Sequence, residues 1–153
     1  MSDMYEHLNK RLERVIKTAH EIAREYEQEY VGTEHLLLAI AQENDGVASR
    51  VLADAGATAE RAKAAVDKLI KSSLEDTWVF GRLPGTPHFR NVMAKAIEEA
   101  RKLGSHEIST EHLLIGLLLE KGSVGYEALK SLGLTPKAVR EMVRRQISDF
   151  ASE

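Results

Sequence analysis

Two copies of a Thr-Glu-His sequence contain the residue types that most resemble a catalytic or metal-binding site. They lie at Thr33-Glu34-His35 and Thr110-Glu111-His112. Neighbouring side chains on a helix point about 100° apart, so each Glu-His pair is a poor chelator and a poor acid–base pair. None of the six histidines stands four residues from another, the usual spacing of a helical zinc site. We therefore predict no catalytic residues and no metal site, and we expect each histidine to make a buried hydrogen bond.

Composition and motifs also disfavour nucleotide, nucleic-acid and thiol chemistry. The chain has no Gly-x-x-x-x-Gly-Lys-Ser/Thr loop, so the standard phosphate cradle is excluded and we predict no cofactor. Its net charge is −3, and the basic residues between Lys137 and Arg145 fit the solvated face of a helix, so we predict no nucleic-acid partner. The absence of cysteine excludes disulfides and a thiolate nucleophile.

Glu34 and Glu111 each follow a threonine that is predicted to cap the start of a helix. Free backbone amides and the positive end of the helix dipole at such a start attract an oxyanion. A carboxylate at the same place can bind a guanidinium through a bidentate pair. Phosphorylated arginine carries both charges on adjacent atoms. Two interpretations stay open: ordinary stabilising charges of the first helical turn, or a pair of phosphoarginine-binding residues.

An internal repeat supplies the elements that position these residues. A shift of 77 positions aligns Val15–Ile70 with Val92–Ile147 without a gap, and 17 of the 56 pairs are identical. Apolar residues at helical spacing, with threonine or glycine at the boundaries, indicate four helices in each repeat. We predict an all-α fold of two pseudo-symmetric four-helix repeats, about eight helices in one compact domain. The leucines predicted to be buried are Leu36, Leu37, Leu113 and Leu114.

The same pattern divides the single domain, residues 1–153, into repeat one at about 5–72, a linker at about 73–86 and repeat two at about 87–150. Gly81, Pro84 and Gly85 predict a break in the helical pattern between Ser72 and Thr86. Trp78 is expected to pack over the seam between the repeats, with an exposed partner patch as the alternative. Because no secretory signal or membrane-length apolar run is visible, we expect a soluble, cytoplasmic protein without a membrane partner.

Several motifs resemble the Clp N-terminal repeat domain, which caps bacterial and plastid AAA+ unfoldases of the ClpA and ClpC kind. They are Gly32-Thr33-Glu34-His35-Leu36-Leu37, Ser109-Thr110-Glu111-His112-Leu113-Leu114, Thr86-Pro87 and Glu99-Ala100-Arg101-Lys102-Leu103-Gly104. The resemblance covers nearly the entire chain. It implies a non-enzymatic module that receives protein substrates, docks adaptor proteins and works with Clp ATPase and protease components. In the ClpC branch it also implies phosphoarginine recognition at two equivalent sites.

The resemblance assigns candidate phosphoarginine-binding residues to each repeat. The glutamate that binds the guanidinium matches Glu34 and Glu111. The threonine that helps to hold the phosphate matches Thr86 in repeat two, whereas repeat one has Asn9 at that position. Repeat two alone keeps Thr86 together with Glu111, so the second site is predicted to be the better one.

Two further positions depart from the family pattern. His88 stands where an arginine is common, and Ser109 stands where a glycine is usual. Two functions therefore remain open. The chain is either the N-domain of an unfoldase that recognises substrates or adaptors, through phosphoarginine in the sharper version, or a standalone regulatory or accessory protein. The second kind would bind the Clp machinery without binding phosphoarginine.

Overall fold

The computed structural model describes residues 8–28, 31–43, 45–80 and 86–151, without the side chains of 71–80, 86 and 148–151. These residues form eight helices and no strand beyond one isolated bridge between Leu8 and Ile108. The helices are α1 (Lys10–Glu25), α2 (Thr33–Gln42), α3 (Val47–Asp54), α4 (Ala59–Phe80), α5 (Thr86–Lys102), α6 (Thr110–Leu119), α7 (Val124–Ser131) and α8 (Pro136–Ala151). The predicted all-α fold of two four-helix repeats is confirmed.

The two repeats interlock through their last two helices. α4 packs on α7 of the other repeat, α8 packs on α3, and α2 contacts α6 near the centre. Each contact between two helices therefore has a counterpart in the other repeat, as an approximate two-fold axis requires. The apolar core runs through both repeats, and the leucines predicted to lie in it are fully buried: Leu36, Leu37, Leu113 and Leu114.

Threonine and glycine mark several helix ends, as predicted. The Thr58 and Thr135 hydroxyls accept hydrogen bonds from the first turns of α4 and α8, at 3.2 and 3.1 Å. Gly104 follows the end of α5 with φ of 69°, a backbone conformation that suits glycine. The Ser105 N–H then bonds back to the Ala100 carbonyl oxygen at 2.9 Å, which closes the helix end.

The helical pattern was predicted to break between Ser72 and Thr86, but α4 continues to Phe80, so residues 73–80 of the predicted linker are helical. The side chain of Trp78 lies outside the described residues, so its expected packing over the seam stays a prediction. Gly81, Pro84 and Gly85 also lie outside them. Among the described residues, no helix combines the length and the apolar character that crossing a membrane requires.

Candidate functional site

The helices α2 and α6 begin with the same histidine contact. His35 Nδ1 accepts the N–H of Gly32 at 2.8 Å, and His112 Nδ1 accepts the N–H of Ser109 at 3.0 Å. Burial, with a smaller contribution from His20, lowers the pKa of His35 to about 4, and burial also lowers the pKa of His112. Both rings are therefore neutral at pH 7 and can accept these bonds. The predicted buried hydrogen bond of each histidine is confirmed.

The predicted capping role of Thr33 and Thr110 is wrong, because the N-cap residues are Gly32 and Ser109. The Thr33 hydroxyl instead accepts the N–H of Gly125, at the start of α7, at 2.9 Å. A Cβ atom on residue 125 would lie 3.0 Å from the Thr33 Cβ, so the two backbones approach closely. Thr33 thus anchors the start of α2 to the other repeat. No local sequence pattern predicts this hydrogen bond to Gly125.

Glu34 is buried, with 4% of its surface exposed, although it is a charged residue at the start of a helix. Its side chain folds back over Gly32: a Cβ atom added there would overlap Glu34 Oε1 and lie 2.9 Å from Cδ. No described residue donates a hydrogen bond to Oε1. Burial raises the pKa of the Glu34 carboxyl, while its own backbone N–H and the charge of His88 act to lower that pKa.

Glu111 has a different environment at the start of α6. Its side chain is partly exposed, and its charge opposes the effect of burial on the pKa of His112. The residue two positions before it is Ser109, whose Cβ occupies the space that corresponds to the space beside Gly32. The two glutamates that the sequence predicted as equivalent are therefore one covered and one accessible carboxylate.

Asn9 does not lie near Glu34, so the expected site within repeat one is wrong. The 16 residues of α1 span about 24 Å. Asn9 caps the first end, whereas Tyr26 at the other end stacks edge-on with His35, with ring centroids 5.8 Å apart. The Asn9 N–H instead donates to the Ile108 carbonyl oxygen at 2.9 Å, three residues before Glu111.

Thr86 is likewise separated from Glu111 by the length of α5. That helix begins at Thr86, and Glu99 near its other end acts electrostatically on His112. The Thr86 side chain lies outside the described residues, but His88, two positions later, acts electrostatically on Glu34. The start of α5 therefore faces the start of α2, and the expected pairing of Thr86 with Glu111 is wrong.

The candidate residues thus fall into two groups, each drawn from both repeats, which we call the two composite sites. The Glu34 site consists of Glu34 on α2 with Thr86 and His88 on α5, and the Glu111 site consists of Glu111 on α6 with Asn9 before α1. Each site combines a carboxylate at one helix start with the start of a second helix. This arrangement offers one cationic and one anionic group of a ligand a binding surface.

A buried carboxylate holds the histidine of the Glu34 site. Glu120 Oε2, at the end of α6, lies 2.6 Å from His88 Nδ1 and 2.8 Å from Asn91 Nδ2, and Glu120 Oε1 pairs with Lys95 Nζ. Burial alone would raise the pKa of Glu120, but the bonds from His88, Lys95 and Asn91 together lower it to about 2. The sequence analysis missed Glu120. The signal was the spacing of its three partners, which share one face of α5.

Comparison with known proteins identifies the fold and the family. The model of the Clp repeat (R) N-terminal domain matches residues 7–78 and 84–153, once in each repeat. The N-terminal domain of the caseinolytic protease associated chaperone ClpD from Arabidopsis thaliana has the same fold, with a TM-score of 0.68 and 23% identity. That match covers 94% of this chain and 99% of the other.

Relatives of known sequence are much longer proteins. Over 146 residues the chain is 37% identical to the chloroplastic chaperone protein ClpC2 of Oryza sativa. The aligned residues make up 95% of this chain and 16% of that protein. It is 36% identical over 148 residues to the ClpA homolog of Guillardia theta, an ATP-dependent Clp protease ATP-binding subunit, with 97% and 18% covered. The chain thus spans less than a fifth of their length. Because the family model matches both repeats, the chain belongs to the Clp repeat (R) N-terminal domain family.

Proposed function

We propose that this chain is a non-catalytic module that binds protein substrates or adaptors for a Clp-type ATP-dependent unfoldase or protease, and that it recognises them through phosphoarginine. Membership of the family supports the first part, as do the names of its relatives, which are chaperones and ATP-binding subunits of a protease. The geometry of the two composite sites supports the second.

The observation that carries the ligand proposal is the buried carboxylate of Glu34. A carboxylate oxygen that is buried without a hydrogen-bond donor is costly, and such groups in native proteins call for an explanation. Once the side chain turns outward, a guanidinium group would supply the missing donors in a charge-assisted bidentate pair. The start of α5 would then receive the phosphate, because a helix start attracts anions and His88, in its first turn, acts electrostatically on Glu34.

The Glu111 site offers the same two functions with different residues. Glu111 is accessible and would bind the guanidinium, while the start of α1 would bind the phosphate. Asn9 Oδ1 already accepts the Leu12 N–H at 2.8 Å, which fixes the orientation of the side-chain amide. Its Nδ2 atom carries two N–H groups, which can donate to an oxyanion. We therefore keep Glu111, Asn9, Glu34 and Thr86 as the proposed ligand-binding residues, regrouped across the repeats.

Calorimetric titration with phosphoarginine tests this proposal on the wild type and on Glu34→Gln and Glu111→Gln. Glutamine keeps the shape of the side chain and removes its charge. Loss of a charge-assisted bidentate contact is expected to weaken the affected site about tenfold to a hundredfold. We expect the larger loss for Glu111→Gln because that carboxylate is accessible in the free protein. Free arginine, without the phosphate, should compete poorly.

Wild-type protein that releases no heat with phosphoarginine would contradict the ligand proposal. The departures at Asn9 and His88 favour that alternative, in which the chain docks adaptors or Clp components without phosphoarginine. The absence of catalysis is tested separately by incubating the chain with ATP and with a peptide library. We expect no turnover. Turnover that disappears in His35→Gln or His112→Gln would contradict a non-catalytic role.

A further inference from the structure

We propose that the residue at the helix N-cap, Gly32 or Ser109, decides whether the glutamate two positions later covers its own helix start. By this device the Glu34 site is closed and the Glu111 site is open in the free protein. The proposal concerns the regulation of the proposed ligand sites and rests on that function for its biological meaning. Its geometric part is independent of any ligand.

The backbone does not require a glycine at position 32. Gly32 has φ of −109° and ψ of 178°, and Ser109 has φ of −124° and ψ of 179°. Both conformations are extended and open to any residue. The two N-caps therefore differ only in the presence of a side chain, and exchanging their residues introduces no backbone strain.

The missing side chain at residue 32 is what makes room for the Glu34 carboxylate. A Cβ atom there would overlap Glu34 Oε1 and approach Oε2 to 3.3 Å. Ser109 carries such a Cβ atom, and the corresponding Glu111 is partly exposed while Glu34 is buried. The burial of the carboxylate thus follows the size of the N-cap residue in both repeats.

The closed position is poised to open. In this position Glu34 Oε1 loses its hydrogen bonds to water and gains no donor from any described residue. The backbone N–H of Glu34 therefore offsets only part of the free-energy cost of burying the carboxylate. His88 of α5 and Tyr26 at the end of α1 are the other titratable groups that couple electrostatically to this carboxyl. A ligand must draw Glu34 outward, and its apparent affinity falls with the fraction of open molecules.

Exchanging the two N-cap residues tests the geometric part without a ligand. The carboxyl pKa values of Glu34 and Glu111 are measured by NMR titration of side-chain ¹³C resonances in the wild type, Gly32→Ser and Ser109→Gly. We expect Gly32→Ser to return the Glu34 pKa to its ordinary range because the displaced carboxylate becomes hydrated. In Ser109→Gly the Glu111 side chain should fold back over the start of α6, as that of Glu34 does over the start of α2. Gly32→Ala, which adds the Cβ without a hydroxyl, should act like Gly32→Ser.

An unchanged Glu34 pKa in both Gly32 variants would overturn the proposal whatever the protein binds. Since Tyr26 and His88 lie close, their resonances are followed in the same titration, so that a shift caused by either group is recognised. Circular dichroism on the same samples shows whether the variants are folded. If Gly32→Ser is unfolded, Gly32→Ala and Ser109→Gly decide the outcome.

A binding measurement tests the functional part. Phosphoarginine is titrated into Glu111→Gln, which isolates the Glu34 site, with and without Gly32→Ser. If about one molecule in ten is open in the free protein, releasing the carboxylate tightens binding about tenfold. Weaker binding despite a lowered Glu34 pKa would contradict a closed site. If the pKa values shift as expected and no variant binds phosphoarginine, the N-cap effect stands and the phosphoarginine proposal fails.

Discussion

The two repeats share their helices but not the polar contacts that tie those helices together. In repeat two, Glu99 on α5 accepts two hydrogen bonds from Arg140 on α8, both at 3.0 Å. The corresponding positions in repeat one are Ile22 and Lys63, and Lys63 pairs with Asp67 on its own helix at 2.7 Å. Apolar positions and helix ends are therefore enough to repeat the architecture, while ion pairs can change without altering it.

The closeness of the first two helices also differs between repeats. A Cβ atom on Gly116 of α6 would lie 2.8 Å from the Val92 carbonyl oxygen of α5. The corresponding residue of α2 is Ala39, which has that Cβ and is buried against the core. α5 and α6 thus use a glycine for close contact where α1 and α2 do not. Both differences can be tested by substituting matched positions.

Shared core positions should give the largest and most similar effects. Leu37→Ala and Leu114→Ala each truncate a fully buried side chain of the core, so each should lower the free energy of unfolding by about 2–5 kcal/mol. Urea denaturation measures both. Leu103→Ala, at a residue that is 54% exposed, should change stability by about 0.5 kcal/mol or less. Equal effects at Leu114 and Leu103 would contradict the shared core.

Local signals made much of this fold predictable from sequence. Helical spacing of apolar residues and threonines at helix starts act over a few residues, so Thr58 and Thr135 marked the starts of α4 and α8. The extension of α4 beyond Ser72 was missed because polar residues disfavour a helix only by tenths of a kcal/mol each. No glycine or proline lies between Ser72 and Gly81.

The residue types of the candidate site were predictable, but their grouping was not. The resemblance pointed to Asn9, Glu34, Thr86 and Glu111, and the length of α1 already implied that Asn9 and Glu34 lie at opposite ends of that helix. The contact between Asn9 and Ile108 joins residues 99 positions apart. No periodicity or capping rule reports on such a separation. It follows from how the repeats pack.

The contrast between Arg140 and Lys63 should appear as a difference in stability. Arg140→Met leaves the Glu99 carboxylate, which is 4% exposed, without its guanidinium partner, and should cost about 1.5–3 kcal/mol. Lys63→Met removes an exposed pair and should cost about 1 kcal/mol or less. Adding Glu99→Ile to Arg140→Met, to match Ile22, should recover stability. No recovery in the double variant would show that the pair itself is not the cause.

The glycine contact between α5 and α6 should make one common substitution unfavourable. Gly→Ala inside a helix ordinarily stabilises it by about 1 kcal/mol. Gly116→Ala should instead cost about 1–3 kcal/mol because its Cβ meets the backbone of Val92 and Ala96. Ala39→Gly should cost about 1 kcal/mol through helix propensity alone. Thermal unfolding of both variants decides the matter, and a more stable Gly116→Ala would contradict the close approach.

The buried histidines should make stability depend on pH, with a larger contribution from repeat one. Burial lowers the pKa of His35 to about 4, so the folded state binds its proton less readily than the unfolded chain does, whose histidine pKa is about 6.5. The stabilisation is complete above pH 6.5 and is lost as the pH falls through 4. Between pH 6.5 and 5.5 the loss should be about 1 kcal/mol. At His112, the charges of Glu111 and Glu99 oppose the effect of burial on the pKa, so the contribution of His112 to the pH dependence of stability should be smaller.

The free energy of unfolding of His35→Gln and His112→Gln, measured at both pH values, gives the contribution of each histidine. Glutamine keeps an acceptor for the N-cap amide and does not titrate. A larger loss of pH dependence in His112→Gln would reverse the proposed difference between the two helix starts.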